Sequence, residues 1–167
     1  MDILSVIKKR RSIREYKSKA VPKAVIGKIV DAARFAPTAR NVQPWEFVAV
    51  TRVETLGRIA AITDHGKFIS GAGACLVVFS SDTKYYLEDC SAAIENAMLE
   101  AASLKIGSCW VAGDKKSYAV QLNELLGVPG SFKLVGLISL GYPLTDKFFR
   151  EIEKRKLDEV LHWEKFI

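Results

Sequence analysis

The chain has 167 residues, which suits one domain whose core needs no metal or disulfide staple. Its 49% hydrophobic and 26% charged residues fit a globular protein, and no apolar run approaches the roughly 18 residues of a membrane span. The net charge of +6 is concentrated, because Lys8, Lys9, Arg10, Arg11, Arg14, Lys17, Lys19 and Lys23 face only Glu15 in the same stretch. Such a block is a solvated face, a nucleic-acid arm or a phosphate site.

Asp2 can cap a first helix running to about Lys9, with Ile3, Val6 and Ile7 on one face. Its charges follow its apolar stretch, the reverse of a secretory signal, so a cytoplasmic location is expected. Ser12 to Lys19 reads as an extended polar connection. Pro22 opens a second helix, in which Val25, Ile26, Ile29, Val30 and Ala33 keep helical spacing, and Pro37 ends it. After the loop Thr38 to Pro44, Trp45 to Thr51 alternates as a strand, and Glu54 to Ile62 is a short helix. Ala74 to Ser80 is a continuous apolar run, as in a strand covered on both faces. Leu87 to Lys105 is a long helix whose alanines admit a close neighbour, which places it centrally. Ser108 to Ala112 reads as another buried strand. Ser117 to Leu126 is a helix stopped by Gly127 and Pro129. Leu134 to Leu140 is the last long strand, ended by Gly141-Tyr142-Pro143. Lys147 to Ile167 is a charged tail with a weakly helical middle and an apolar tip at Trp163 and Phe166. Helices come first and strands separated by helices follow, so a sheet covered by helices is expected and a Rossmann order is not.

Several chemistries lack their residues. There is no P-loop, and Gly71-Ala72-Gly73 precedes a strand, whereas a dinucleotide fingerprint follows one. His65 and His162 have no metal spacing, and Cys75, Cys90 and Cys109 form no C-x-x-C pair, so no metal site is expected. No G-x-S-x-G occurs. A bound cofactor must therefore supply the chemistry, or there is none.

Four motifs remain. Arg10-Arg11-Ser12-Ile13-Arg14, just beyond a helix, can grip a phosphate by charge and hydrogen bond together. In Pro37-Thr38-Ala39-Arg40-Asn41-Val42-Gln43-Pro44-Trp45, two prolines stiffen a loop whose amides can pair with the edge of a flat heterocycle. The third is the run from Asp89 to Gly113 with Gly107-Ser108-Cys109-Trp110, and the fourth is Leu140-Gly141-Tyr142-Pro143. Trp45 and Trp110 adjoin strands and read as core residues.

In this order and spacing the motifs resemble the nitroreductase family of flavoproteins, over essentially the whole chain. The resemblance implies an α+β fold, a three-layer α-β-α sandwich with a central mixed sheet, and a homodimer with FMN sites at the subunit interface. It implies one domain over residues 1–167, with residues 147–167 packing on the partner subunit. It assigns Arg10, Arg11, Ser12 and Arg14 to the phosphate and ring edge of the flavin. Pro37, Thr38, Ala39 and Asn41 reach the partner's flavin, Leu140 and Gly141 lie near its reactive nitrogen, and Lys67 approaches its pyrimidine edge. Arg155, with Lys154 and Lys156 as alternatives, meets the phosphate. Arg14, Lys67 and Gly141 tune the flavin, and no side-chain acid or base is expected. Arg40 points to an altered pocket or an anionic substrate. The implied reaction passes electrons from NAD(P)H to a nitroaromatic, quinone or similar acceptor by ping-pong kinetics, without nucleic acid or membrane. The alternative is a flavin sensor or a nucleic-acid-binding module without turnover.

Overall fold

In the computed structural model, residues 2–145 and 149–166 are described. Helix α1 (Ile3–Lys9) starts where Asp2 accepts a hydrogen bond from the Ser5 amide at 3.1 Å. Helix α2 (Lys23–Ala33) follows Pro22. Strand β1 (Trp45–Val50), helix α3 (Val53–Ile62), a 3-10 turn at Lys67–Gly71 and strand β2 (Ala74–Ser80) come next. Helix α4 (Tyr86–Ser103), strand β3 (Gly107–Ala112), helix α5 (Ala119–Leu126) and strand β4 (Lys133–Gly141) complete the body. Gly127 ends α5 in the left-handed conformation, φ 67°, where a side chain would be strained.

The strands lie in the order β1-β2-β4-β3, and every neighbouring pair is antiparallel. The central sheet is thus antiparallel rather than mixed. The parallel pairing among the described residues is a single bridge between Ser12 and Ser108. The period of two along a strand sorts β2 between two cores. Ala74, Leu76 and Val78 pack against α2 and α4, while Cys75, Val77 and Phe79 pack against α3, Ile69 and Leu122 of α5. Covered on both faces, β2 is buried along its whole length. Each fully buried Leu, Ile or Phe in these layers contributes about 1.5–3 kcal/mol.

Two further expectations change. Strand β3 is an edge strand, with Trp110 and Ala112 exposed, so it is not buried throughout. The helix expected in the tail is one 3-10 turn, Leu157–Glu159. Its start at Lys147 lies outside the described residues.

Candidate functional site

Beyond α1 the chain turns extended at Arg10 and runs along the open edge of β3. Ile13 anchors it: its amide donates to Ser108 O at 2.8 Å, and its side chain is buried against Gly107. Tyr16 pins the far end by hydrogen bonds to Ile13 O and to Ser139 Oγ, the latter 2.6 Å away. The basic segment is therefore part of the fold, not a loose arm.

Two cavities follow one another along this edge. The first, about 610 Å³, is lined by Lys8, Arg10, Arg11, Ser12 and Lys154, with Ile7 and Ile152 as apolar walls and Glu151 as its acid. Arg10 lies 3.4 Å from Glu95. Arg11 donates through Nη1 to Arg10 O, while its Nε and Nη2 are shielded from solvent and have no hydrogen-bond partner among the described residues. Burial, then Arg10 and Arg150 nearby, push the Arg11 pKa below the usual arginine value, and Glu151 opposes this. A guanidinium with shielded, unused donors beside other cations fits an anion such as phosphate.

The second cavity, about 350 Å³, is lined by Arg14, His65, Phe68, Cys109, Trp110, Lys116 and Tyr118. The Arg14 guanidinium lies 5.7 Å from the centre of the Phe68 ring, and its Nη1 is 3.4 Å from Ser12 O. The Cys109 thiol is pushed up by burial, against the pull of Arg14, Ser12 and Arg10. Burial also raises Cys75 to about 12 and Cys90 to about 11, so the three thiols are neutral core groups.

The expected residues divide. Arg10, Arg11 and Ser12 meet in the first cavity and Arg14 enters the second. Arg155 does not join them: its Nη2 donates to Glu159 O at 2.6 Å, and Lys154 lines the cavity instead. Lys67 turns its Nζ to Ala61 O, 3.0 Å away, and the adjacent Phe68 faces the second cavity. Leu140 is fully buried in the core, and Gly141 pairs with Gly107 beneath the Tyr16 ring, so neither lines either cavity. Trp45 is core, but Trp110 is 37% exposed at the site. Phe68, Lys116 and Tyr118 also line the second cavity and were not among the expected residues. Cys109 and Trp110 lay in a recognised motif; the others carry no local signal.

The loop Pro37 to Pro44 stands elsewhere. It leads into Trp45, which pairs with Ser80 at one end of β2, whereas Leu140 and Ser108 align with Ala74 at the other. Six residue steps of strand separate these ends by about 20 Å. Within the loop, Ala39 N donates to Asp89 Oδ1 at 3.2 Å and Gln43 N to Thr38 Oγ1 at 3.2 Å. Gln43 Nε2 donates to Asn41 Oδ1 at 3.2 Å. Arg40, Asn41 and Gln43 all have positive φ.

A helix-covered antiparallel sheet with two basic-lined cavities on its open edge defines an α+β protein. The chain belongs to the Nitroreductase family, whose model matches residues 7–67 and 66–142. A protein of Archaeoglobus fulgidus provisionally named NADH dehydrogenase/NAD(P)H nitroreductase is 37% identical, over 99% of each chain. The solved FMN-dependent nitroreductase of Clostridium difficile superposes with TM-score 0.90 at 30% identity, over 98% of this chain and 99% of that one. A provisionally named nitroreductase of Desulfovibrio desulfuricans, solved in complex with FMN, gives 0.81 at 27% identity, over 100% and 99%. Among the described residues no helix is long and apolar enough to cross a membrane, and no group of three or more His, Cys, Asp or Glu could hold a metal ion.

Proposed function

We propose that this chain is an FMN-dependent oxidoreductase that passes electrons from NAD(P)H to a small oxidised acceptor. The observation that carries it is Arg11, whose shielded donors await an anion beside Arg10, Ser12 and Lys154. The flavin phosphate belongs there, and the ring belongs along β3 beside Arg14, Phe68 and Trp110. Bound FMN supplies reversible two-electron chemistry that no side chain of the protein offers. Arg14 keeps a positive charge where reduction leaves negative charge, which favours the reduced state. Phe68 and Trp110 exclude water from that end of the site.

With a nitroaromatic acceptor the balance is NAD(P)H, one proton and the nitro compound giving NAD(P)+, the nitroso compound and water. With a quinone it is NAD(P)H, one proton and the quinone giving NAD(P)+ and the hydroquinone. The donor leaves before the acceptor enters the same space, a ping-pong order. The loop from Pro37 to Asn41 lines neither edge cavity of its own chain, so it serves the site of a second copy in a homodimer.

The test is the visible spectrum of the purified protein, followed by NADH and NADPH oxidation against nitroaromatics and quinones. Flavin bands and parallel double-reciprocal lines are expected. A protein that takes up no FMN on reconstitution overturns the reading. Bound flavin with no nicotinamide oxidation leaves the sensor alternative.

A further inference from the structure

A third cavity, about 270 Å³, lies under the Pro37 to Pro44 loop and takes no part in the edge site. It is lined by Arg40, Val42, Thr83, Lys84 and Tyr85, together with Asp89 and Ala39. Arg40 has no hydrogen bond or ion pair among the described residues, and its backbone is left-handed at φ 57°, ψ 21°. That conformation costs a non-glycine residue about 1–2 kcal/mol. Glycine would adopt it without strain, so what position 40 gains for the strain is the guanidinium. Lys84 adds a second cation, 5.1 Å from the centre of the Tyr85 ring. Thr83 Oγ1 is shielded and has no hydrogen-bond partner among the described residues. The one carboxylate in the cavity, Asp89, accepts from the Ala39 amide. Val42 and Tyr85, 50% and 44% exposed, offer apolar flanks.

We propose that this cavity selects the acceptor: it recognises a carboxylate or sulfonate on an aromatic ring through Arg40, assisted by Lys84 and the Thr83 hydroxyl. The inference rests on the reading above that the loop serves the partner's flavin, since only there does an acceptor held by Arg40 meet the reacting ring. An aromatic acid fits the combination of cations and flat apolar walls. At about 270 Å³ the cavity falls just below the usual ~300–1,000 Å³ of a small-molecule pocket, which suits one ring better than a dinucleotide.

Turnover with para-nitrobenzoate and with its neutral amide, para-nitrobenzamide, isolates the charge. In Arg40→Gln the benzoate-to-benzamide ratio of kcat/KM should fall about tenfold, equivalent to about 1.4 kcal/mol, chiefly through KM for the benzoate. Arg40→Gly relieves the backbone strain and should show the same loss of ratio in a protein at least as stable as the parent. Arg40→Lys should recover part of the ratio. An unchanged ratio in both Arg40→Gln and Arg40→Gly overturns the proposal. So does a rise in KM for NADPH or NADH in place of the benzoate effect, which would mean that the donor's phosphates are what Arg40 meets. Calorimetric titration of para-nitrobenzoate into parent and Arg40→Gln protein reads the same contact without turnover. Arg40-dependent binding in a protein that never oxidises nicotinamide would sink the electron-transfer reading and leave this one standing. Turnover with no dependence on Arg40 would do the opposite.

Discussion

An arginine shielded from water at two of its nitrogens, with no acceptor for either, weakens the protein that carries it. Arg11 is in that position. A buried donor left unmade costs about 1–3 kcal/mol, whereas a charge-assisted bond to phosphate contributes about 1.5–3 kcal/mol. Arg11→Met should therefore raise the melting midpoint of the flavin-free protein, by about 2–4 °C for each kcal/mol recovered. The same change should weaken FMN binding about ten- to a hundredfold. Calorimetry of the flavin-free protein and fluorescence titration with FMN check both signs. Lower stability with an unmoved FMN affinity would mean that Arg11 is only a packing residue. The segment Arg10 to Arg14 was legible in the sequence because charge and hydroxyl alternate beside a helix end. Lys67 and Arg155 were not, for a geometric reason. In a turn or an irregular tail, neighbouring residues point in different directions, and sequence does not give the phase. Phe68, next to Lys67, lines the second cavity, and Lys154, already an alternative to Arg155, lines the first.

Elements were easier to read than residues. Asp2, Pro22 and Gly127 mark helix ends by their capping chemistry, and β2 announces its two-sided burial as an unbroken apolar run. Strand direction was not legible, because the same run suits a parallel strand or an antiparallel one covered on both faces. The edge position of β3 was likewise hidden, since it follows from strand order and not from composition. Gly141 shows how an element positions the site without touching it. A Cβ there would lie 2.6 Å from Tyr16 Cδ1, and Tyr16 is held by Ser139 and Ile13 and cannot swing away. Gly141→Ala should push the 12–16 segment off the sheet edge, costing about 1–3 kcal/mol of stability as overpacking and loosening FMN at the same time. Gly127→Ala is the comparison: it meets nothing within 4 Å but strains a backbone at φ 67°. It should cost stability, about 1 kcal/mol, and leave FMN affinity alone. Urea midpoints with FMN titrations separate the two. FMN affinity that survives Gly141→Ala would show that the segment adapts.

At the scale of the molecule, the chain displays surface that suits a second copy. Ile3 and Leu4 of α1 are 73% and 55% exposed, and Leu157, Trp163 and Phe166 of the tail are 72%, 75% and 87% exposed. Apolar area left in water at about 25 cal/mol per Å² favours association once a complementary surface is present. The loop from Pro37 to Asn41 lines neither edge cavity of its own chain: it leads into Trp45, level with Ser80 of β2, whereas Ser12 bridges Ser108, level with Ala74 six residue steps away. If each loop closes the other chain's site, dimerisation and flavin binding are linked, and FMN should stabilise the dimer by mass action. Sedimentation velocity followed at the flavin absorbance should then show one dimeric species in the holoprotein. The double variant Trp163→Lys, Phe166→Lys removes apolar contact from the tail without entering either edge cavity. It should shift the sedimenting species toward monomer and release FMN over the same range of protein concentration, with bound FMN recovered as the protein is concentrated. A monomer that keeps its FMN on dilution would show that the edge cavities of one chain suffice, and that the loop does not belong to a shared site.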